Sequence, residues 1–141
     1  MVRFWQDNSG TIDCLCGEII ESIICVNWID NNIEQENLFV LWLKIQSKDF
    51  WLRFFIDAGI CFGEKYKLSE FRDIYAEDIE GNSSYSFSDR YILSNTTIVS
   101  AQVNPINNNS GVKLSFYLED RQIISMICDI FDGNTKIVLS N

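Results

Sequence analysis

A chain of 141 residues that is 47% hydrophobic and 13% aromatic holds ample core material, which excludes a disordered protein and fits a single domain over residues 1–141. Twenty acidic against 11 basic residues leave a net charge of −9, a surface that repels nucleic acid and anionic membrane and attracts basic protein. The sequence contains no histidine, which removes the commonest general base, the Ser–His and Cys–His nucleophile pairs and the commonest zinc ligand.

The opening Met1-Val2-Arg3-Phe4-Trp5-Gln6-Asp7 turns polar at once and lacks the apolar stretch of a signal peptide. The longest apolar run, Leu38 to Leu43, is far too short to span a bilayer. The expectation is therefore a soluble, cytoplasmic protein without a membrane partner. Five cysteines, Cys14, Cys16, Cys25, Cys61 and Cys128, are an odd number and read as reduced thiols acting as small hydrophobes. Cys14 and Cys16 form a Cys-x-Cys pair, but with no second pair and no histidine neither a metal nor a cofactor is expected.

From residue 15 a faint internal repeat organises the chain. Leu15-Cys16-Gly17-Glu18-Ile19-Ile20-Glu21-Ser22 reappears as Leu93-Ser94-Asn95-Thr96-Thr97-Ile98-Val99-Ser100. Each copy, roughly 15–62 and 93–139, passes from a β-like run through a polar, Asn-rich loop to two apolar runs joined by a charged turn. Ile19 to Val26 fits both a strand and a helical face. The matching Thr96 to Val103 alternates and is rich in β-formers, so strand is favoured for both. The loop Asp30 to Asn37 precedes Leu38 to Ile45, the turn Gln46-Ser47-Lys48-Asp49, and Phe50 to Ile56. These two nearly continuous apolar strands read as a central hairpin covered on both faces. Leu114 to Leu118 and Ile123 to Cys128 form its less apolar counterpart, and the copies close at Asp57-Ala58-Gly59 and Asp132-Gly133.

The connector over 64–92 departs from the pattern. Leu68 to Tyr75 predicts a short helix with Leu68, Phe71 and Tyr75 on one face. Gly81 to Ser88 is a Ser/aromatic loop with room for a short edge strand. The fold class that follows is mainly β, with α+β as the variant. It is an antiparallel twisted sheet or partly open roll from two similar β-β-β units, with a short helix between them.

Chemistry-bearing constellations are sparse. Asp57 and Asp132 stand at equivalent strand ends, but an aspartate beside glycine is what a turn demands. The seven glycines are scattered and build no phosphate loop, and Asp129 to Asn134 lacks the alternating ligands of a calcium loop. No catalytic residue is assigned, and the chain is read as a non-enzyme. Acid is unevenly placed: seven carboxylates precede residue 37 against Arg3, and six lie between residues 70 and 89 against Arg72. The exposed loops around Asp30, Glu34 and Glu36 and around Glu77, Asp78 and Glu80 are the expected contacts for a basic partner. Along Phe50 to Ile56, Trp51, Arg53 and Phe55 share one face, so Arg53 needs a carboxylate or the sheet rim. An alternative function places Trp42, Trp51 and Phe55 around an apolar ligand pocket in a β-roll, and a structural subunit is the third reading.

A small, acidic, β-rich, histidine-free chain with turns such as Asp57-Ala58-Gly59 after an aromatic strand resembles the immunity proteins of bacterial polymorphic-toxin systems. The resemblance is one of type and carries no residue by position. It implies a protein that caps a toxin, often a basic nuclease, by electrostatic complementarity.

Overall fold

The computed structural model describes residues 1–29 and 36–141 and is mainly β. Strand β1 (Val2–Asp7) and the two-residue β2 (Gly10–Thr11) lead through a 3-10 turn at Asp13–Leu15 into β3 (Ile20–Trp28). Then come β4 (Leu38–Ile45), β5 (Phe50–Asp57) and β6 (Ile60–Lys67). Helix α1 (Leu68–Ile79), β7 (Asn82–Ser86) and the one-turn α2 (Phe87–Arg90) form the connector. Strands β8 (Ile98–Ile106), β9 (Gly111–Leu118), β10 (Ile123–Asp129) and β11 (Thr135–Ser140) follow.

These strands build two antiparallel sheets, ordered β1-β6-β5-β4-β3-β7 and β11-β10-β9-β8-β2. The two units are meanders that lie in separate sheets, whereas a single sheet had been expected from their similarity. Period-two alternation explains the arrangement. Ile23 and Cys25 of β3, Leu41 and Leu43 of β4, and Leu52 and Phe54 of β5 point to one side. They meet Leu114 and Phe116 of β9 and Ile124 and Met126 of β10 in one shared core. Each sheet has one apolar face that only the other can bury. Phe54 and Phe116 meet edge to face across that core, centroids 5.7 Å apart.

The two meanders share details of length and register. Strands β3 and β8 each run nine residues, and β4 and β9 each run eight. A bulge interrupts pairing between Ile20 and Ser22 in one unit and between Ile98 and Ser100 in the other. Ile19 faces Thr97 in an isolated antiparallel bridge at the junction. Around it the Gly17 amide donates to the Ile98 carbonyl at 2.7 Å, and the Asn95 amide donates to that of Ile20 at 2.8 Å. The Ile20 amide reaches Thr96 and the Ile98 amide reaches Glu18, at 2.9 and 2.7 Å. Donors and acceptors thus exchange between equivalent positions. Edge strands are exchanged as well: β2 precedes the first meander yet pairs with β8, and β7 precedes the second yet pairs with β3.

Helix α1 packs on the outer face of the first sheet, which explains why β4 and β5 are apolar on both faces. Its inward face is Phe71, Ile74 and Tyr75. Leu68, expected on that face, is half exposed, because it directly follows β6 at a rim depression beside Phe50. The second sheet alternates instead, with Lys113 and Tyr117 facing away from the core-forming Leu114 and Phe116, and so reads as the less apolar hairpin.

The β5–β6 hairpin closes through Ala58 and Gly59 alone, at φ 51° and 77°. Two consecutive left-handed residues make a type I′ turn, which suits Asn-Gly better than Ala-Gly. Ala58→Asn should therefore raise stability by about 0.5–1 kcal/mol, read as a higher denaturant midpoint at unchanged slope, and Gly59→Val should lower it by about 1–2 kcal/mol. The core also sets an alkaline limit. Burial pushes the Cys25 and Cys61 thiols up to about 12 from 9.0. The unfolded chain releases these protons first, so their contribution is intact below about pH 9 and declines as pH rises towards 12, at about 1.4 kcal/mol per pH unit per thiol. Denaturant unfolding across that range checks the slope, and it should flatten in a Cys25→Ala/Cys61→Ala protein.

Candidate functional site

The densest polar cluster lies where α1 crosses the first sheet. Register places Arg53 of β5 directly opposite Glu64 of β6 and opposite Trp42 of β4. Seven residues beyond Phe71, Asp78 falls on the helix face turned to the sheet and is 5% exposed. Arg53 grips it with both prongs, Nε to Oδ2 at 2.9 Å and Nη2 to Oδ1 at 2.8 Å. The Trp42 indole N–H donates to the same Oδ2 at 2.9 Å. On its other side Arg53 Nη1 donates to Glu64 Oε1 at 2.9 Å, where the Tyr66 hydroxyl also donates at 3.1 Å. Arg3 of β1 donates to Glu64 Oε2 at 3.1 Å.

Two guanidinium groups and two carboxylates thus neutralise one another, with Arg53, Glu64 and Asp78 covered and Arg3 at the exposed rim. The Arg53 guanidinium also lies 5.1 Å from the Phe55 ring centre and 5.5 Å from that of Phe39. A register shift between Val26 and Asn27 leaves Phe39 without a partner across β3 and turns it to this face. Burial alone would weaken the Arg53 charge, but the Asp78 and Glu64 carboxylates more than offset it and raise its pKa. Loss of solvation and the Glu64 charge push the Tyr66 hydroxyl up to about 12.

Such a cluster has little to offer a reaction. Both oxygens of each carboxylate already accept from fixed donors. Among the described residues, no group of three or more cysteine and acidic side chains is arranged to hold a metal ion. What the geometry does is clamp the helix: Trp51 stacks on Phe71 at 4.2 Å and 7°, and Trp42 meets Phe71 edge-on at 5.0 Å.

The residues singled out from the sequence scatter accordingly. Asp30 and Glu34 lie outside the described residues. Glu36, Glu77 and Glu80 are exposed, and Glu36 accepts the Tyr85 hydroxyl at 2.7 Å. Asp78 does not join them at the surface. Each helical step turns by about 100°, so a run that reads as one solvated acidic cluster splits, with Asp78 inward and Glu77 outward. Trp42, Trp51 and Phe55 do not line one pocket either. Trp42 is fully buried and Trp51 is covered by Phe71, because α1 fills the space a ligand would take. Phe55 lies beyond the helix, stacked on Phe62 at 5.0 Å, and borders an open depression of about 560 Å³ with Trp28 and Phe39. Glu64 and Tyr66 belong to no motif that the sequence displays. Their signal was the turn: a two-residue loop at Ala58-Gly59 sets Arg53 opposite Glu64.

Truncating Arg53 strands two buried carboxylates, so Arg53→Met should cost about 3–5 kcal/mol. Removing the charges together, with Glu64→Gln and Asp78→Asn added, should recover much of that loss. Denaturant unfolding of the single and triple variants measures both, with tryptophan fluorescence reporting on Trp42 and Trp51.

Comparison with protein-family models, with curated proteins and with solved structures returned no match for this chain.

Proposed function

We propose that this protein is a non-enzymatic binding module for a basic protein partner, an inhibitor or escort of the kind the immunity-protein resemblance implies. The observation that supports this reading is the acidic border of β7. That strand ends its sheet, so among the described residues one side of it is unpaired. It pairs in unbroken register with β3 over Asn82 to Ser86 and carries no lysine, proline or bulge, the usual guards of an exposed edge.

Exposed carboxylates surround it: Glu36 bonded to Tyr85, Glu77 and Glu80 from the end of α1, and Asp89 just beyond the strand. Among the described residues none of Glu77, Glu80 and Asp89 is ion-paired, and the nearby Arg90 is occupied over the Tyr85 ring at 3.8 Å. A basic segment laid along this edge would gain backbone pairing from β7 and charge pairing from its border. A net charge of −9 would steer its approach. The described residues include no helix long and apolar enough to cross a membrane.

Neutralising the border with Glu36→Gln, Glu77→Gln, Glu80→Gln and Asp89→Asn leaves the core untouched. In parallel captures from native lysate, the parent chain should retain a basic protein that salt releases, and the variant should lose it. With that partner purified, the variant should slow association by about 10-fold or more at low salt, and the difference should shrink at about 0.5 M salt. Equal capture by both proteins, or association indifferent to salt, would refute the proposal.

A further inference from the structure

At the opposite end of the sandwich a small crevice of about 150 Å³ opens into the shared core. Ile45 and Leu52, 2% and 3% exposed, form its floor, and the Phe4 and Phe50 rings form its walls. Its rim holds Lys48 and Lys65, and among the described residues no carboxylate lines it. Position explains the second lysine. Cys61, Gly63 and Lys65 succeed one another on the core-facing side of β6, and Lys65 pairs across the sheet with the buried Leu52. An ammonium group thus stands where alternation calls for an apolar side chain. Its Nζ lies 4.7 Å over the Phe50 ring, which holds it at the mouth. Among the described residues neither lysine is ion-paired.

We propose that this crevice is a binding site for a small apolar monocarboxylate, its body on Ile45, Leu52 and the two phenyl rings and its carboxylate between Lys48 and Lys65. Charge complementarity selects the anion: two cations, neither ion-paired among the described residues, rim an apolar opening. Volume selects the body, since an apolar cavity of about 150 Å³ accommodates benzene. A phenyl ring or a chain of about six carbons fits, and a long-chain fatty acid does not. The site is separate from the acidic border of β7 and stands or falls independently of it.

Phenylacetate and its neutral isostere phenylacetamide are the probes, titrated at low salt into the whole protein and followed by amide chemical shifts. Phenylacetate should saturate with a Kd of about 1 mM or tighter, as expected for a ligand of about ten heavy atoms. Phenylacetamide should bind about tenfold more weakly, and Lys48→Met with Lys65→Met should abolish the preference while leaving the fold intact. Cys14 also lines the crevice and Cys16 does not, although both are exposed. Phenylacetate should therefore slow alkylation of Cys14 and leave that of Cys16 unchanged, as read by peptide mass mapping. No saturation by about 10 mM, equal affinity for acid and amide, a preference that survives the double substitution, or unaltered Cys14 alkylation would each overturn the proposal.

Discussion

Arg53 is the charge on which the first sheet depends. It occupies a strand where Phe50, Trp51, Leu52, Phe54, Phe55 and Ile56 surround it and the other charge, Asp57, is exposed at the end, and its side chain is 12% exposed. A guanidinium there is tolerable only if every donor direction finds an acceptor, because desolvating an unpaired charge costs more than local packing returns. Glu64 answers from the neighbouring strand and Asp78 from the helix, so one side chain ties β5, β6 and α1 together. Ion pairs of this kind contribute little net stability over apolar packing, yet they discriminate strongly between arrangements. A helix rotated by one residue would present Glu77 or Ile79 to Arg53, and an aromatic bed alone would not reject that slip.

Much of this fold was legible in the sequence because the signals were local. The β4–β5 hairpin announced itself by two apolar runs around a polar turn, and the lack of polar alternation in it required cover on both faces. The need of Arg53 for a carboxylate followed from its position between Trp51 and Phe55. The identity of the second carboxylate did not, since Asp78 pairs with it through helix docking, which no local pattern encodes. Linear clustering misled for the same reason at Glu77, Asp78 and Glu80, where adjacency in sequence is divergence in space.

Aromatic density was the least informative signal. Trp42, Trp51 and Phe55 share one sheet face, and from sequence such a face serves a ligand or a helix equally well. The amphipathic face of α1, with Phe71, Ile74 and Tyr75 towards the sheet, resolves the choice for the two tryptophans. Phe55, one step past the end of that helix, stays half covered together with Phe39 and Phe62. The lysines of β6 offered the opposite lesson. A polar residue at a core-facing position marks where the second sheet stops covering the first, and this could have been read from the alternation of Cys61, Gly63 and Lys65.

The exchange of β2 and β7 between the two meanders reaches beyond architecture into biosynthesis. As the chain leaves the ribosome, β3, β4, β5 and β6 emerge before β7, so the flank of β3 that β7 will seal stays bare during that interval. β2, made first of the two, likewise waits for β8 to emerge before it can pair. Neither meander completes its own sheet, and each holds the other's missing strand. Two copies of the chain meeting at that stage would find the same complementary flanks in one another, so crowded translation, and not the finished molecule, is where this topology is most exposed to intermolecular exchange.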